Sequence, residues 1–460
     1  MNKVCAVILA AGDGKRMKSA GPKVLCEVLF KPMLHWVTDA CAGAGIEDIC
    51  VVAGTGDEAV RLSLPEHVQV VCQPERKGTG HAVMMAAEYI RQGGYTHVAV
   101  LYGDAPFITA KDLQDSFAEH TAHENKATVL SAKISNPAGY GRVVRSGRGI
   151  TAIVEERDAD SVIKELNEIN SGTYWFDAAF LLRSLDKLGC DNTQGEYYLT
   201  DLVGIAVEGN DRADAFVLSN PDAVLGANDR RTLQELNRVA RRRVLDRLLD
   251  SGVNIPFEDG VVVGADAGVG ADTTLLPGTI IRGSSIIGKG CTIGPNSSIA
   301  DSRIGDGCRV ISTFIESAVL EDHVKIGPMS NVRPGTILRS GAKIGDFVEL
   351  KNSDVGEGTA VAHLTYVGDT DVGKNCNFGC GVVTVNYDGS GKYRTVIGDD
   401  VFIGCNTNLI APVKLGDRVY SAAGTTVTSD VPDDALVIGR AKQTVKENWS
   451  KERGKFKKST

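Results

Sequence analysis

The chain has 460 residues, of which 43% are hydrophobic and 23% are charged, and its formal net charge at pH 7 is −8. This composition indicates a globular protein of two or three domains and excludes a disordered chain. No apolar run reaches the roughly 18 residues of a membrane-spanning helix, and the negative charge argues against bulk nucleic-acid binding. Eleven cysteines without a CxxC pair indicate free thiols in a reducing compartment. We therefore expect a soluble cytoplasmic protein with neither a membrane nor a nucleic-acid partner.

Residues 1–228 alternate Val-rich apolar runs with helical segments. Four runs predict buried strands, namely VCAVILAAG, DICVVAG, VQVVCQ and HVAVLYGD, and two intervening segments, PMLHWVTDACAGAG and GHAVMMAAEYIRQ, predict helices. This alternation predicts a Rossmann-like α/β/α domain with a mostly parallel sheet between helices. Ligands of such sheets bind beyond the carboxyl ends of the strands.

A connecting helix is predicted next, between residues 229 and 250. Apolar residues keep a helical period there, at Leu233, Leu236, Ala240, Val244 and Leu248. Arginines occupy the opposite side, and we interpret them as a solvated face rather than a phosphate site.

From residue 251 onward, aliphatic residues recur every six positions. The series comprises Ile281, Ile287, Ile293, Ile299, Ile326, Val332, Leu338, Ile344, Leu350, Ile397, Ile403, Leu409 and Leu415. A six-residue period predicts a left-handed parallel β-helix of hexapeptide repeats over residues 251–460, whose coils bury their aliphatic corners by stacking. Two irregularities are expected: a loop over residues 379–396, and the loss of one residue between 350 and 361. The lysine-rich end of the chain, residues 446–460, is expected to be frayed.

Two cations are predicted to stack on neighbouring coils. Arg333 and Lys351 are 18 residues apart, which is one turn of three hexapeptides. Stacked cations repel each other, so the spacing indicates a shared anion such as phosphate. The alternative is two solvated charges with a coincidental spacing.

The stretch VILAAGDGKRM, residues 7–17, ends an apolar run in two glycines and two cations. It is no P-loop, because no GKS or GKT follows, and no GxGxxG motif, because Met17 takes the place of the third glycine. Gly12 and Gly14 would still let the backbone approach a phosphate, with Arg16 and Lys23 adding charge. From these residues alone, a phosphate-binding turn and an ordinary loop remain equally good interpretations.

The motifs along the chain resemble those of one family. LAAGDGKRM followed by PKVL is similar to the signature of the sugar-phosphate nucleotidylyltransferases. Combined with the β-helix, the chain resembles the bacterial bifunctional N-acetylglucosamine-1-phosphate uridylyltransferases/glucosamine-1-phosphate acetyltransferases over nearly its whole length. The matching motifs are GTGHA (78–82), YGDAP (102–106), GYGR (139–142), EIN (168–170), QGEYYLTD (194–201), RPG (333–335), FVELK (347–351), HLTYVGD (363–369), NYDG (386–389) and AAGTTVT (422–428).

The resemblance implies a uridylyltransferase in the first half of the chain, which joins UTP to N-acetylglucosamine 1-phosphate and releases pyrophosphate. Arg16 and Lys23 would be catalytic, and Asp104 and Asn228 would bind Mg²⁺, a hard ion that prefers oxygen ligands. The implied contacts to UTP and UDP-N-acetylglucosamine are Leu9, Ala10, Ala11, Gly12, Gly14, Lys23, Gln73, Gly78, Thr79, Tyr102, Gly103, Asp104, Gly141, Glu155, Asn170 and Asn228.

Three residues in this half leave alternatives open. Asp104 would otherwise cap a turn, and Asn228 would otherwise be the N-cap of the connecting helix. Lys15 departs from the family pattern, which has a small hydroxyl residue at that position.

The resemblance implies an acetyltransferase in the second half of the chain, which uses acetyl-coenzyme A as a co-substrate. His363 would be the general base, since the attacking amine must lose a proton, and it lies where the hexapeptide spacing slips. Glucosamine 1-phosphate would contact Arg333, Lys351, Tyr366 and Asn377. Acetyl-coenzyme A would contact Cys380, Asn386, Tyr387, Cys405, Ala423 and Arg440. The family's inter-chain cofactor sites imply a homotrimer.

Two cysteines depart from the family pattern in this half. Cys380 stands for a usual alanine, and Cys405 for a usual serine. We expect acetyl transfer to persist and to become sensitive to thiol alkylation, whereas the alternative is that both are inert packing residues.

Three other functions compete with this interpretation. One is a sugar-1-phosphate nucleotidylyltransferase with a non-catalytic, trimerising β-helix, and another is a non-catalytic scaffold. The third is a hexapeptide zinc enzyme, which the presence of only His323 and His363 in the second half disfavours.

Overall fold

A computed structural model describes residues 2–12, 14–56, 58–147 and 149–453. The chain divides into two compact units with a boundary between Arg243 and Val244, and we call them unit 1 and unit 2. Among the described residues, no helix has the length and apolar character needed to cross a membrane.

Unit 1 alternates strands and helices. Its strands are β1 Val4–Ala10, β2 Glu27–Val28, β3 Lys31–Pro32, β4 Ile49–Gly54, β5 Gln69–Gln73, β6 His97–Tyr102, β7 Ala127–Lys133, β8 Arg142–Ser146, β9 Gly149–Val154, β10 Glu168–Asp177 and β11 Ala213–Val217. Its helices are α1 Met33–Gly43, α2 Glu58–Ser63, α3 Thr79–Met85, α4 Ala87–Gly93, α5 Ala110–Ala122, α6 Ser161–Lys164, α7 Ala178–Ser184, α8 Asp201–Glu208 and α9 Arg230–Asp250. Short 3₁₀ turns span Lys15–Met17, Lys23–Leu25, Leu185–Lys187 and Pro221–Val224.

The central sheet has the order β11-β7-β10-β6-β1-β4-β5. The pairs β6·β1, β1·β4, β4·β5 and β11·β7 are parallel, whereas β10 runs antiparallel to both β6 and β7. Strands β8 and β9 extend the sheet as an antiparallel pair beside β10. The four strands predicted from Val-rich runs are confirmed as β1, β4, β5 and β6, and the sheet is mixed but mostly parallel.

Helices and loops cover both faces of this sheet, so its central strands are apolar on both sides. Along β1, Cys5 and Val7 belong to one buried cluster, while Ala6 and Ile8 belong to the other. This alternation explains why the run lacks polar positions, since successive side chains of a strand point to opposite faces.

The predicted helix GHAVMMAAEYIRQ is two helices, α3 and α4. The chain departs from helical geometry at Ala86, whose N–H donates to the carbonyl of Val83 three residues back, at 3.0 Å. A tightened turn of this kind separates α3 from α4.

The connecting helix is α9, and its five predicted apolar positions are buried. Its N-terminus is capped by Asp229, whose Oδ1 accepts the N–H groups of Arg231 and Thr232 at 3.0 and 2.9 Å. The interpretation of Asn228 as the N-cap is therefore wrong, because the neighbouring carboxylate performs that role.

Unit 2 is a parallel β-helix whose three faces are parallel sheets of short strands. The first face comprises Val262–Val263, Ile280–Arg282, Ser298–Ala300, Phe314–Glu316, Asn331–Val332, Glu349–Lys351, Tyr366–Gly368, Val383–Val385, Asn408–Ile410 and Thr426–Val427. The second comprises Gly268–Val269, Ile286–Ile287, Arg303–Ile304, Val319–Leu320, Ile337–Leu338, Asp354–Val355, Thr370–Val372, Thr395–Ile397 and Val413–Leu415. The third comprises Thr274–Leu275, Thr292–Ile293, Arg309–Val310, Lys325–Ile326, Lys343–Asp346, Ala360–His363, Asn377–Phe378, Phe402–Ile403, Tyr420–Ser421 and Leu436–Val437. A short helix, α10 Trp449–Glu452, follows.

The aliphatic positions of the six-residue series are at most 3% exposed, and they form the interior of the left-handed β-helix. The lost residue is confirmed, since Leu350 pairs with Val367 and Leu338 with Val355, each 17 residues on rather than 18. The predicted loop over 379–396 is too wide, because Val383–Val385 still pairs in register with Asn408–Ile410. Only the segment 386–394 leaves the repeat.

Candidate functional site

A pocket of about 430 Å³ opens in unit 1 beyond the carboxyl ends of β1 and β6. Its lining residues are Leu9, Ala11, Gly12, Lys23, Val24, Gln73, Arg76, Gly78, Thr79, Ala82, Tyr102, Asp104 and Glu196. Nine of these were predicted from the sequence as ligand contacts; Val24, Arg76, Ala82 and Glu196 were not. The structure thus brings together residues from five separate motifs at the edge where parallel sheets bind ligands.

The floor of this pocket carries an ion pair between Lys23 and Asp104. Lys23 begins the 3₁₀ turn after Pro22, Asp104 follows β6, and their side chains are only 13% and 19% exposed. A second pair joins a cation to an amide oxygen: Arg16 donates a hydrogen bond to Oδ1 of Asn228 at 3.3 Å. The Lys23–Asp104 and Arg16–Asn228 pairs lie close together, because the N–H of Ala227, next to Asn228, donates to the carbonyl of Asp104 at 3.2 Å.

The donor atoms of Asp104 and Asn228 fit Mg²⁺. One carboxylate and one amide oxygen are hard ligands of the kind this ion prefers, and Mg²⁺ usually keeps water and phosphate oxygens in its remaining positions. Within the described ranges, no group of three or more His, Cys, Asp or Glu residues is arranged to hold a metal. A metal at this place would therefore depend on oxygens from its substrate, and it would compete with Lys23 for Asp104.

The opening motif folds as a tight turn against Lys23. Gly14 has φ +56°, and a Cβ there would lie 2.8 Å from the Cβ of Lys23. Gly103 donates its N–H to the carbonyl of Leu9 at 2.9 Å, which holds the ends of β1 and β6 together. Ala10 is buried in β1 and, like Gly14 and Gly103, does not line the pocket. Asp13 and the side chain of Lys15 lie outside the described residues, so the effect of Lys15 stays open.

The GTGHA segment packs against the QGEYYLTD segment. Gly78 has φ +105°, and a Cβ on it would lie 2.6 Å from the carbonyl oxygen of Tyr197. The Gly80 N–H donates to that same oxygen at 2.8 Å, and the Tyr197 N–H donates to the carbonyl of Lys77 at 2.7 Å. Only glycine allows this approach, which places Thr79 and Glu196 on one pocket wall.

Gln73, at the end of β5, is 4% exposed and held in one orientation. Its Nε2 donates to the carbonyl of Gly78 at 3.2 Å and lies 3.0 Å from Nδ1 of His81. A fixed buried amide at a pocket edge can discriminate between bases by their hydrogen-bonding groups.

Three predicted sugar contacts form a second cluster beside the pocket. The Asn170 N–H donates to the carbonyl of Gly141 at 2.9 Å, and a Cβ on Gly141 would lie 3.4 Å from a Glu155 carboxylate oxygen. Burial raises the pKa of Glu155, although Thr200 hydrogen-bonds to it. The Nδ2 of Asn170 donates to the hydroxyl of Tyr174 at 2.6 Å. Tyr102 of the pocket wall interacts electrostatically with Tyr174, which connects the cluster to the pocket.

Arg76 was missed from the sequence. Its Nε donates to the carbonyl of Ala11 at 2.5 Å, so this cation is fixed against the opening motif. The signal that could have found it is its place in QPERKGTG, between two segments already assigned to the pocket.

In unit 2, predicted phosphate and sugar contacts meet on the first face. Arg333 follows Asn331–Val332 and Lys351 ends Glu349–Lys351, and the Arg333 N–H donates to the Leu350 carbonyl at 2.9 Å. The expected stacking of these two cations on adjacent coils is thereby observed. Each cation also forms an ion pair: Arg333 lies 2.9 Å from a carboxylate oxygen of Glu349, and Lys351 lies 3.9 Å from one of Asp369.

Asp369 organises the polar groups around this face. Its oxygens accept Nδ2 of Asn352 at 2.6 Å and Nδ2 of Asn386 at 2.5 Å, and Asn386 also lies 3.4 Å from the hydroxyl of Tyr366. Asn386 therefore lies with the predicted sugar contacts, although its predicted partner was acetyl-coenzyme A. Tyr387 points outward, 56% exposed, and donates to the carbonyl of Gly389 at 2.7 Å.

Lys392 is a third cation at this place that the sequence analysis missed. It lies on the segment 386–394, where it pairs with Tyr387, and the neighbouring ammonium of Lys351 lowers its pKa. Its position depends on how the segment folds back, which the hexapeptide pattern does not describe.

His363 ends the strand Ala360–His363 on the third face and pairs in register with Asp346. Its Nδ1 lies 3.1 Å from Oδ1 of Asp346, and the two side chains are 59% and 43% exposed. Asp346 was not predicted. Both residues line a pocket of about 420 Å³.

A column of predicted cofactor contacts begins one coil beyond His363. Val361 pairs with Phe378, Phe378 with Ile403, and Ile403 with Ser421, which places Cys380, Cys405 and Ala423 in one line after these strands. Arg440 donates to the carbonyl of Ala423 at its far end. Cys405 is exposed and Cys380 partly exposed, so the alternative of buried packing cysteines is wrong for Cys405.

Asn377 is not brought to the phosphate group of the first face. It lies on the third face, paired with Ala360, whereas Arg333, Lys351 and Tyr366 belong to the first face. One chain therefore presents the predicted sugar contacts on two different faces.

Comparison with known proteins gives results for both halves. The model of the MobA-like NTP transferase domain matches residues 6–169. Curated relatives described as "Bifunctional protein GlmU" include those of Caldanaerobacter subterraneus, 46% identical, and Thermoanaerobacter pseudethanolicus, 47% identical, each over 98% of this chain and 99% of the relative. The relative from Acetivibrio thermocellus is 44% identical over 99% of this chain and 98% of its own. A solved putative glucose-1-phosphate thymidylyltransferase from Bacillus anthracis matches at 21% identity and a TM-score of 0.43, covering 52% of this chain and 95% of that one.

Proposed function

We propose the following residue roles for a chain that belongs to the GlmU family of bifunctional transferases, to which relatives 44–47% identical over nearly the full length assign it. The enzyme functions in UDP-N-acetylglucosamine biosynthesis and combines a uridylyltransferase with an acetyltransferase. We assign the first activity to unit 1, which the NTP transferase match over residues 6–169 supports, and the second to unit 2.

For unit 1, the proposal rests on the pocket of about 430 Å³ and its lining residues. Lys23 and Arg16 would hold the triphosphate of UTP and neutralise charge as its α-phosphorus is attacked, because phosphoryl-type transfer depends on alignment and charge stabilisation. Gln73, Gly78 and Thr79 would bind the uracil edge. Gly141, Glu155 and Asn170 would bind the sugar of N-acetylglucosamine 1-phosphate.

Asp104 and Asn228 would hold Mg²⁺, which supplies charge neutralisation to the phosphates when bound. Lys23, whose side chain contacts Asp104, would hold the triphosphate beside this metal site.

For unit 2, the proposal rests on the contact between His363 and Asp346. Asp346 would accept the Nδ1–H of His363, which leaves Nε2 to take the proton of the glucosamine 1-phosphate amine as it attacks the thioester. A carboxylate in this place also stabilises the imidazolium that forms. No acyl-enzyme is needed.

The substrate phosphate would lie among Arg333, Lys351 and Lys392, and Tyr366 and Asn386 would contact the sugar. Acetyl-coenzyme A would follow the column from Cys380 to Arg440. Asn377 and His363 lie on the third face and the phosphate cations on the first, which supports a site completed by a second chain. We therefore propose a homotrimer with sites between chains.

The test is a coupled reaction in one vessel. The full chain receives UTP, acetyl-CoA, Mg²⁺ and glucosamine 1-phosphate, and UDP-N-acetylglucosamine should appear without added N-acetylglucosamine 1-phosphate. A His363→Ala variant should make the nucleotide sugar only when N-acetylglucosamine 1-phosphate is supplied. An unchanged acetylation rate in that folded variant would contradict the assignment of the base.

A further inference from the structure

The third face of unit 2 carries a column of basic residues that the proposed reactions do not use. Arg309 pairs with Lys325, and Lys325 pairs with Lys343, so three cations stand in register on consecutive coils. We call them the basic ladder. Neighbouring strands lie about 4.8 Å apart, so the ladder is roughly 10 Å long.

The basic ladder has no carboxylate partner within the described part of the chain. No ion pair or side-chain hydrogen bond holds Arg309, Lys325 or Lys343. Three other cations of this β-helix have carboxylate partners: Arg339 pairs with Glu321 and Asp354, Arg394 with Asp371, and Arg418 with Asp434. Three stacked cations repel one another, so this column stores an electrostatic cost that a bound anion would relieve.

The ladder also lines a cavity. All three residues border the pocket of about 420 Å³ that contains His363. The carboxylate in that lining is Asp346, and its Oδ1 already faces Nδ1 of His363. The pocket is therefore strongly positive, and it ends at the proposed catalytic base.

We propose that the basic ladder binds a diphosphate group. A linear anion with charges on successive phosphates matches cations on successive coils, and each phosphate could accept charge-assisted hydrogen bonds from two of them. A single phosphate would leave one end of the ladder unpaired. The column of predicted coenzyme A contacts runs from His363 towards higher coils, whereas the ladder lies on lower coils, so this site is separate from that column.

The diphosphate has two possible sources: free pyrophosphate, which uridylyl transfer releases, and a coenzyme A molecule that enters from the lower coils instead of along the column from Cys380 to Arg440. In either case the bound diphosphate lies next to His363. Free pyrophosphate would then obstruct acetyl transfer, whereas a coenzyme A tail would support it.

The first experiment measures binding of inorganic pyrophosphate to the full chain by calorimetry in EDTA, which suppresses metal-dependent binding in unit 1. The Lys325→Ser variant should weaken one binding event at least about fivefold, since hydrogen bonds between charged groups are worth more than neutral ones. The Lys325→Glu variant should abolish it. The control is Lys414→Ser, which removes an exposed cation of the second face that has no basic neighbour in register, and it should leave binding unchanged.

The second experiment separates the two sources through acetyl transfer, and this arm alone rests on the proposed function. Pyrophosphate inhibition that Lys325→Ser relieves identifies free pyrophosphate. A raised KM for acetyl-CoA, without a raised KM for acetyl-pantetheine, identifies the coenzyme A tail. If the wild-type chain transfers no acetyl group, the proposed function fails and calorimetry still decides the ladder.

Equal pyrophosphate affinities in the wild type, Lys325→Ser and Lys325→Glu would overturn the proposal. So would protection of Lys325 from an amine-reactive probe in the absence of any anion, because another chain would then cover the ladder. Progressive protection of Lys325 by added pyrophosphate, with Lys414 still reactive, would support it.

Discussion

Adding one methyl group at Gly78 should impair uridylyl transfer and leave acetyl transfer intact. Its φ of +105° is a conformation that side chains disfavour, and an added Cβ would lie 2.6 Å from the Tyr197 carbonyl and 2.9 Å from both the Glu196 Cβ and the Tyr197 nitrogen. Backbone strain of this kind costs roughly 1–3 kcal/mol, and overpacking costs about as much again. Two of the three contacts are backbone atoms, so rotation of a side chain relieves neither the backbone strain nor the overpacking.

We therefore expect Gly78→Ala to cost about 3 kcal/mol in the geometry of the nucleotide pocket, which corresponds to roughly a hundredfold. The loss should appear as a lower kcat/KM for UTP in uridylyl transfer. Acetyl transfer by the same preparation should stay unchanged, because Gly78 belongs to unit 1.

The matched control is Gly204→Ala in α8, where a Cβ would meet nothing within 4 Å. Alanine is favoured over glycine inside a helix, so this variant should keep both activities. A Gly78→Ala enzyme with a kcat/KM for UTP within twofold of the wild type would refute the packing explanation of the GTGHA segment.

Three further predictions concern other sites. Asp346→Asn should lower kcat for acetyl transfer about tenfold, a smaller loss than for the buried aspartate of a catalytic triad because this carboxylate is exposed, and should leave uridylyl transfer intact; equal loss in both assays would indicate misfolding instead. Lys392→Ala should raise KM for glucosamine 1-phosphate about tenfold, as for loss of one charged hydrogen bond, with a smaller change in the KM for acetyl-CoA. Burial, followed by the neighbouring His97, lowers the pKa of His120 to about 3. Since the unfolded chain binds this proton below pH 6.5 and the folded chain does not, the free energy of unfolding should fall by about 2 kcal/mol from pH 7 to pH 5 through this group. His120→Gln should remove that part of the slope in urea titrations followed by tryptophan fluorescence, whereas His67→Gln, at an exposed position, should not.

The repeating part of the fold was predictable because its signal is periodic. Buried aliphatic residues every six positions can be satisfied only by stacked coils, and the structure has those coils. Their register is also shortened where no loss was predicted, since Ile287 pairs with Ile304 and Ile299 with Ile315. The parallel strands of unit 1 were predictable for a similar reason, since long Val-rich runs are typical of strands covered on both faces. The antiparallel course of β10 was not predicted, because its sequence carries no mark of direction.

The candidate site was predictable where a recognisable motif itself lines the pocket, as in the opening stretch around Gly12 and Lys23. Arg76, Asp346 and Lys392 were missed because each acquires its place from a partner distant in the chain: Ala11, His363 and Lys351, respectively. No local pattern marks Asp346 or Lys392, whereas Arg76 lies between two segments that the sequence had already assigned to the pocket.

The sequence by itself determined the two kinds of architecture and the family, because hydrophobic periods and motifs can be identified along the chain without knowledge of its packing. Tertiary structure decided which charges are paired and which are not. It set Lys23 against Asp104 and Asp346 against His363, and it left Arg309, Lys325 and Lys343 stacked without a carboxylate among the described residues. The physical reason is that electrostatic pairing depends on distances in space of a few ångströms, which the chain fixes only once its coils and strands have packed.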